Sequence, residues 1–233
     1  MADVRKNQSQ LSKQEWTKLI DAINQLHGVN VTPPAYREFV AVHVKAMSAV
    51  GMAWRVHTMD GMVGRNFLAW HRQFLRQFER RLQKVHAGVT LPYWDWIKDR
   101  ALPVPLSDPA LLRSWSVTRE WDPAFLPIQQ DINALNRRTN FTSFQRLLEQ
   151  IHNNVHVAVG GQDGGGTMMG KDSPADPVFF LHHANIDRLW ALWQKDHRRA
   201  NPPNATETLQ PKPLFGVKVS SIVTISKLGY SYS

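Results

Sequence analysis

Glu149-Gln150-Ile151-His152-Asn153-Asn154-Val155-His156, continued by Phe180-Leu181-His182-His183-Ala184-Asn185-Ile186-Asp187-Arg188-Leu189-Trp190, decides the fold. His152 and His156 are four residues apart. On a helix both imidazoles then leave one face, a turn apart, which suits two ligands of one metal ion. A Gly-rich loop follows, Gly160 to Gly166, and then Asp176-Pro177 opens a second apolar segment with two adjacent histidines. Neighbouring helical side chains diverge by roughly 100°. Only one of His182 and His183 therefore faces the same metal. Three imidazoles from two helices predict one metal site.

Upstream, the pattern repeats in a different form. Tyr36, Phe39, Val40, His43, Val44 and Met47 recur at helical spacing after Thr32-Pro33-Pro34. Phe67 to Glu79 is a third helical stretch, and His71 shares a face with Phe74, Leu75, Phe78 and Leu82. His43 and His71, with a histidine from the connecting loop, form a second set of three imidazoles. Phe67 lies four residues before His71, and Phe179 four before His183. Either ring can cover a metal site or simply fill the core. No inward carboxylate stands beside these histidines at comparable spacing. Carboxylate-rich di-iron sites and oxygen-liganded magnesium, manganese or calcium are thereby disfavoured. Six neutral imidazoles favour a pair of copper ions that bind dioxygen; a zinc hydrolase lacks an evident general base.

The rest of the chain bounds this reading. The 233 residues suit one domain spanning 1–233. Hydrophobic residues at 42% and charged residues at 20% read as globular. Cysteine is absent, which excludes disulfides, thiolate metal sites and iron–sulfur clusters. No apolar run is long enough to span a bilayer, and Met1 to Leu11 carries no signal-peptide core. The expected location is cytoplasmic, or exported with a helper. The net charge of +9 is scattered, for example over Arg72, Arg76, Arg80, Arg81 and Lys84. With no nucleic-acid signature, it reads as a solvated basic surface and not a nucleic-acid footprint.

Other elements are expected as follows. Ser12 and Glu15 form a capping box for a helix closed by His27-Gly28, with His27 at the surface. Gly51 to Arg65 is a loop, residues 98–140 form a long irregular cover, and Val217 to Ile225 alternates as a strand.

Trp70-His71-Arg72, Pro92-Tyr93-Trp94-Asp95-Trp96, His152-Asn153-x-Val155-His156 with Val159-Gly160-Gly161, and Asp176-Pro177 through Asp187-Arg188-Leu189-Trp190 resemble the tyrosinase family of type 3 copper proteins. The resemblance runs from Arg5 to Tyr232. It implies a mainly α fold, a four-helix bundle holding a dinuclear copper site, with long loops and a few short β-strands. It implies two copper ions, CuA and CuB, dioxygen as co-substrate, and oxidation of small phenols and catechols to o-quinones. By position, His152, His156 and His183 match the CuB ligands, and His43 and His71 match two CuA ligands. His182, Phe67, Phe179 and Asp187 fall behind the ligands.

The family's third CuA histidine lies nine residues before the histidine of Trp-His-Arg, where this chain has Met62. His57 is the expected replacement, with a Met62 thioether as its rival. Asn153 and Glu149 resemble the pair that holds a water as general base. Val157 and the Met168-Met169-Gly170 loop fall where the family lines its entrance. Arg5 with Tyr230 and Tyr232 resembles the motif that ties the termini together, by cation–π contact. The absence of a shielding domain and of a cysteine cross-link resembles bacterial or archaeal members. A copper-delivery helper is an expected partner. The remaining alternatives are a catechol or o-aminophenol oxidase without monophenol hydroxylation, and a haemocyanin-like oxygen carrier.

Overall fold

A computed structural model describes residues 3–28, 35–212 and 215–233. The expected start of a helix at Thr32-Pro33-Pro34 lies outside the described residues. The chain is mainly α. The long helices are α1 (Lys13–His27), α2 (Ala35–Ala46), α3 (Phe67–Val85), α6 (Phe141–Gly160) and α7 (Val178–Asp196). Short ones are α4 (Pro109–Trp115), α5 (Gln129–Asn136) and α8 (Val219–Ile222). Strands β1 (Asp3–Arg5) and β2 (Tyr230–Tyr232) pair in parallel, Asp3 opposite Tyr230 and Arg5 opposite Tyr232. No helix among the described residues is long and apolar enough to cross a membrane.

Local chemistry accounts for these boundaries. The Ser12 side chain accepts the Glu15 backbone N–H, and Glu15 accepts the Ser12 N–H, so the capping box forms as read. Ser12→Ala is expected to lower stability by about 1 kcal/mol, visible as a shift in urea midpoint at constant slope. Helix α7 is buried on nearly every face, from Val178 through Trp193, and this marks it as the central helix. It packs on α3, where Phe180 stacks on Phe78 with centroids 3.6 Å apart. Phe39 of α2 meets Phe74 and Phe78 edge-on, bringing α2 onto the same core. Thus α2, α3, α6 and α7 each present an inward face to one interior.

Several expectations change. Residues 98–140 are not irregular throughout, because α4 and α5 lie within them. Asp108 caps α4 with Pro109 at its first position, a start signal present in the sequence. Two-turn helices are too short to show a period. Val217 to Ile225 is not a strand; α8 occupies its middle. The only sheet among the described residues is the β1–β2 pair, so alternation there had no edge to join. Arg72 and Arg76 are buried and not part of a solvated basic face. Arg72 places its guanidinium 3.6 Å from the Trp190 ring centroid and donates Nε–H to Asp187. His27 is half-buried at the end of α1, where its ring stacks on Tyr36 at 3.8 Å.

Candidate metal centre

Two groups of imidazoles meet inside the bundle. His152, His156, His182 and His183 each offer a ring nitrogen within 4.8 Å of the others. His43, His57 and His71 form a second group by the same measure. Helix α6 supplies His152 and His156 from one face, as their spacing requires; α7 supplies His182 and His183, and α2 and α3 supply His43 and His71. His57 comes from the α2–α3 loop. The two groups adjoin: the His71 and His183 rings stack at 4.3 Å, and His57 lies 6.3 Å from His152.

The hydrogen bonds decide which nitrogens are free. His43 donates Nδ1–H to the Lys171 carbonyl at 2.7 Å, His71 to that of Phe67 at 2.9 Å, and His156 to that of Met168 at 2.5 Å. His152 donates Nδ1–H to the Asn153 side-chain oxygen at 3.0 Å. Each neutral ring so anchored keeps its lone pair on Nε2. The Nε2 atoms of His43, His57, His71 and His156 are buried with no hydrogen-bond partner among the described residues. His152 and His183 point Nε2 at each other across 3.2 Å. At that distance one ring donates its proton to the other, or a cation takes the proton's place. His182 differs: it accepts Trp96 Nε1–H on Nδ1 at 3.3 Å, which puts its own proton on Nε2.

Burial lowers the pKa of every one of these histidines. His43 and His156 fall to about 4, and His57, His71, His152 and His183 fall well below the ordinary value. All are neutral near pH 7, the form that binds metal. Clustered imidazole nitrogens, with no carboxylate in either group, fit two copper ions.

Aromatic rings close the interior side. Phe179 lies 3.9 Å from His183 by ring centroid, and Phe67 lies 4.9 Å from His71 and 4.8 Å from His152. On the other side a cavity of about 280 Å³ opens onto both groups. Its walls include His43, His57, His152, His156 and Asn153, together with Val157, Met168, Met169 and Gly170. Met47 and Ser173 also line it; Met47 was legible only as a member of the α2 stripe. The Gly-rich loop has a concrete cause. A Cβ on Gly161 or Gly165 would collide with the Glu120 carboxylate, which lies against that loop, and Gly161 has φ 82°.

Three expected roles are placed differently. Glu149 is buried and gives both oxygens to Thr58, accepting its backbone N–H at 2.6 Å and its hydroxyl at 2.7 Å. It is not among the residues lining the cavity. Burial raises its carboxyl above the ordinary value, with the Thr58 bonds pulling the other way. Asp187 backs no histidine but binds Arg72, Arg5, Tyr230 and Tyr232. Met62 pairs its backbone with Met59 across an Asp60-Gly61 turn whose φ values are 48° and 76°, and it does not line the cavity. Nothing in the sequence pattern announced Thr58 or the carbonyls of Lys171 and Met168.

Known proteins agree with this geometry. A model of the common central domain of tyrosinase matches residues 21–120 and 110–196. A tyrosinase of Streptomyces lincolnensis is similar at 33% identity, over 84% of this chain and 84% of its own length. Grixazone synthase of Streptomyces griseus is similar at 28% identity, over 84% of this chain and 86% of its own. The fold matches a functional unit of octopus haemocyanin with a TM-score of 0.77 at 24% identity, over all of this chain and 68% of that one. Two buried imidazole groups on a four-helix frame and the extent of these matches lead to one conclusion: the chain belongs to the tyrosinase family.

Proposed function

We propose that this protein is a copper-dependent tyrosinase that hydroxylates monophenols at the ortho position and oxidises o-diphenols to o-quinones with dioxygen. His43, His57 and His71 would hold CuA, and His152, His156 and His183 would hold CuB. The observation that carries the reading is the cavity opening directly onto both imidazole groups. An oxygen carrier has no use for a phenol-sized approach to its metals. When bound, the copper pair supplies dioxygen activation and takes up the electrons of the phenol. The balance is one monophenol and one dioxygen giving one o-quinone and one water. Two diphenols and one dioxygen give two quinones and two waters.

The chain's own residues bind and orient the substrate. Val157 and the Met168-Met169 pair offer apolar, adaptable walls to an aromatic ring. A monophenol must shed its hydroxyl proton, whose ordinary pKa is near 10. Asn153 is an exposed amide on the cavity wall, fixed by its bond to His152. It is placed to orient a water that accepts that proton. Asn153→Ala is expected to lower the ratio of monophenol to diphenol turnover by about tenfold, because only the monophenol needs this transfer. Both turnovers are to be assayed on copper-loaded protein with tyrosine and with a catechol. Equal loss on both substrates would sink the role of Asn153. Reversible oxygen uptake without quinone formation would sink the enzymatic reading.

A further inference from the structure

Helix α6 does more than carry two of the histidines. Its residues Gln145 and Glu149, one turn apart on its buried face, grip the loop that presents His57. Glu149 accepts the Thr58 N–H at 2.6 Å and the Thr58 hydroxyl at 2.7 Å. The same hydroxyl accepts the Gly64 N–H at 3.1 Å, closing the loop on itself. Gln145 donates to the Gly64 carbonyl at 3.2 Å and the Arg65 carbonyl at 3.3 Å. Gly64 lies so close that a Cβ there would stand 2.5 Å from the His57 carbonyl carbon. His57 adjoins the gripped residue, and α6 also bears His152 and His156.

We infer that Glu149 is a positioning residue: through Thr58 it sets the His57 imidazole against His43 and His71, so the helix that holds CuB also determines whether CuA is complete. This rests on the copper reading above. The physical reason is the loop itself. His43 and His71 are oriented by helix backbone, whereas a loop histidine has no such frame and must be fixed from outside. Two charge-assisted bonds to a buried carboxylate supply that frame. The role is distinct from holding water or taking a proton, and the two separate in one substitution. A glutamine at 149 keeps an oxygen for the Thr58 N–H and an amide for the Thr58 hydroxyl, but it cannot act as a base.

The test uses the full chain loaded with copper(II) sulfate and desalted, with copper per chain and the electron paramagnetic resonance signal as readouts. Paired copper(II) spins couple and are silent, whereas a lone copper(II) ion gives a signal. Wild type is expected to hold about two ions and be silent, and Glu149→Ala to hold about one and show the signal. Glu149→Gln is expected to retain about two ions, the silence and the monophenol activity. Two silent coppers in Glu149→Ala, or Glu149→Gln failing as Glu149→Ala does, overturns the inference. If Glu149→Ala is recovered only as aggregate, Thr58→Val and Thr58→Ser decide. Thr58→Val should lose a copper and Thr58→Ser keep it; any other pattern overturns the clamp. Wild type holding fewer than two coppers overturns the copper reading itself, and the inference falls with it.

Discussion

His57→Ala is expected to lower bound copper from about two ions per chain to about one and to abolish phenol oxidation, whereas Met62→Leu leaves both intact. The His57 ring lies 5.3 Å from that of His43 and 5.0 Å from that of His71, and its buried Nε2 has no hydrogen-bond partner among the described residues. Losing an outer partner of a ligand typically costs about 10–100-fold in metal affinity, so losing one of three ligands costs more. The buried imidazole nitrogens of His43 and His71 remain but form only a two-ligand site. Met62 is held in a backbone pair with Met59 and is not among the residues lining the cavity. The Met59–Met62 pair closes a tight turn around Asp60-Gly61, and His57, five positions before Met62, is the loop residue that groups with His43 and His71. An imidazole also matches the other ligands in type, while a thioether would favour Cu(I). Copper analysis of the desalted proteins checks both halves. Loss of copper from Met62→Leu with retention in His57→Ala would reverse the assignment.

The helical histidines were legible because helix periodicity converts spacing into direction. His152 and His156 could face only together, and the apolar neighbours of His71 turned it inward. His182 and His183 were separable only as a pair. The bond from Trp96, 86 residues away in sequence but adjacent in the fold, distinguishes them, and no local pattern encodes it. The loop ligand is the opposite case. Between Met52 and Asn66 no period exists, so the turn at Asp60-Gly61 had to be seen before His57 could be placed. Glu149 shows the limit within a helix. Its resemblance to the family's water-holding carboxylate suggested a task shared with Asn153, yet its carboxylate is held by Thr58 from the facing loop. Long basic side chains misled for a related reason. Arg72 and Arg76 count as surface by type, but carboxylates distant in sequence, Asp187 for Arg72 and Asp3 for Arg76, compensate their burial.

Asp187→Asn is expected to destabilise the metal-free protein by about 3–5 kcal/mol at pH 7, because it leaves two buried guanidinium groups short of their counter-charge. Asp187 is 3% exposed and sits one turn beyond His183 on α7. Its oxygens accept Arg72 Nε–H at 2.5 Å, Arg5 Nη1–H at 3.3 Å, and the hydroxyls of Tyr230 and Tyr232 at 2.7 and 2.6 Å. Arg5 also lies 3.8 Å from the Tyr230 ring centroid and is bidentate on Glu79. One carboxylate thus joins α7, α3 and both chain ends, where β1 meets β2. Burial alone would push its pKa up, but the charges of Arg72 and Arg5 and the two tyrosine hydroxyls hold it below the ordinary value. A depressed folded-state pKa contributes stability that is present above the unfolded value, near 3.9, and is lost as pH falls through the folded value. The wild-type stability curve should therefore fall more steeply below about pH 4 than that of Asp187→Asn, and the two should converge in acid. Urea unfolding at pH 7 and at a series of lower pH values measures both effects. A loss under about 1 kcal/mol at pH 7, or parallel acid limbs, would show that the termini are held by β1–β2 pairing and Glu79 without need of Asp187.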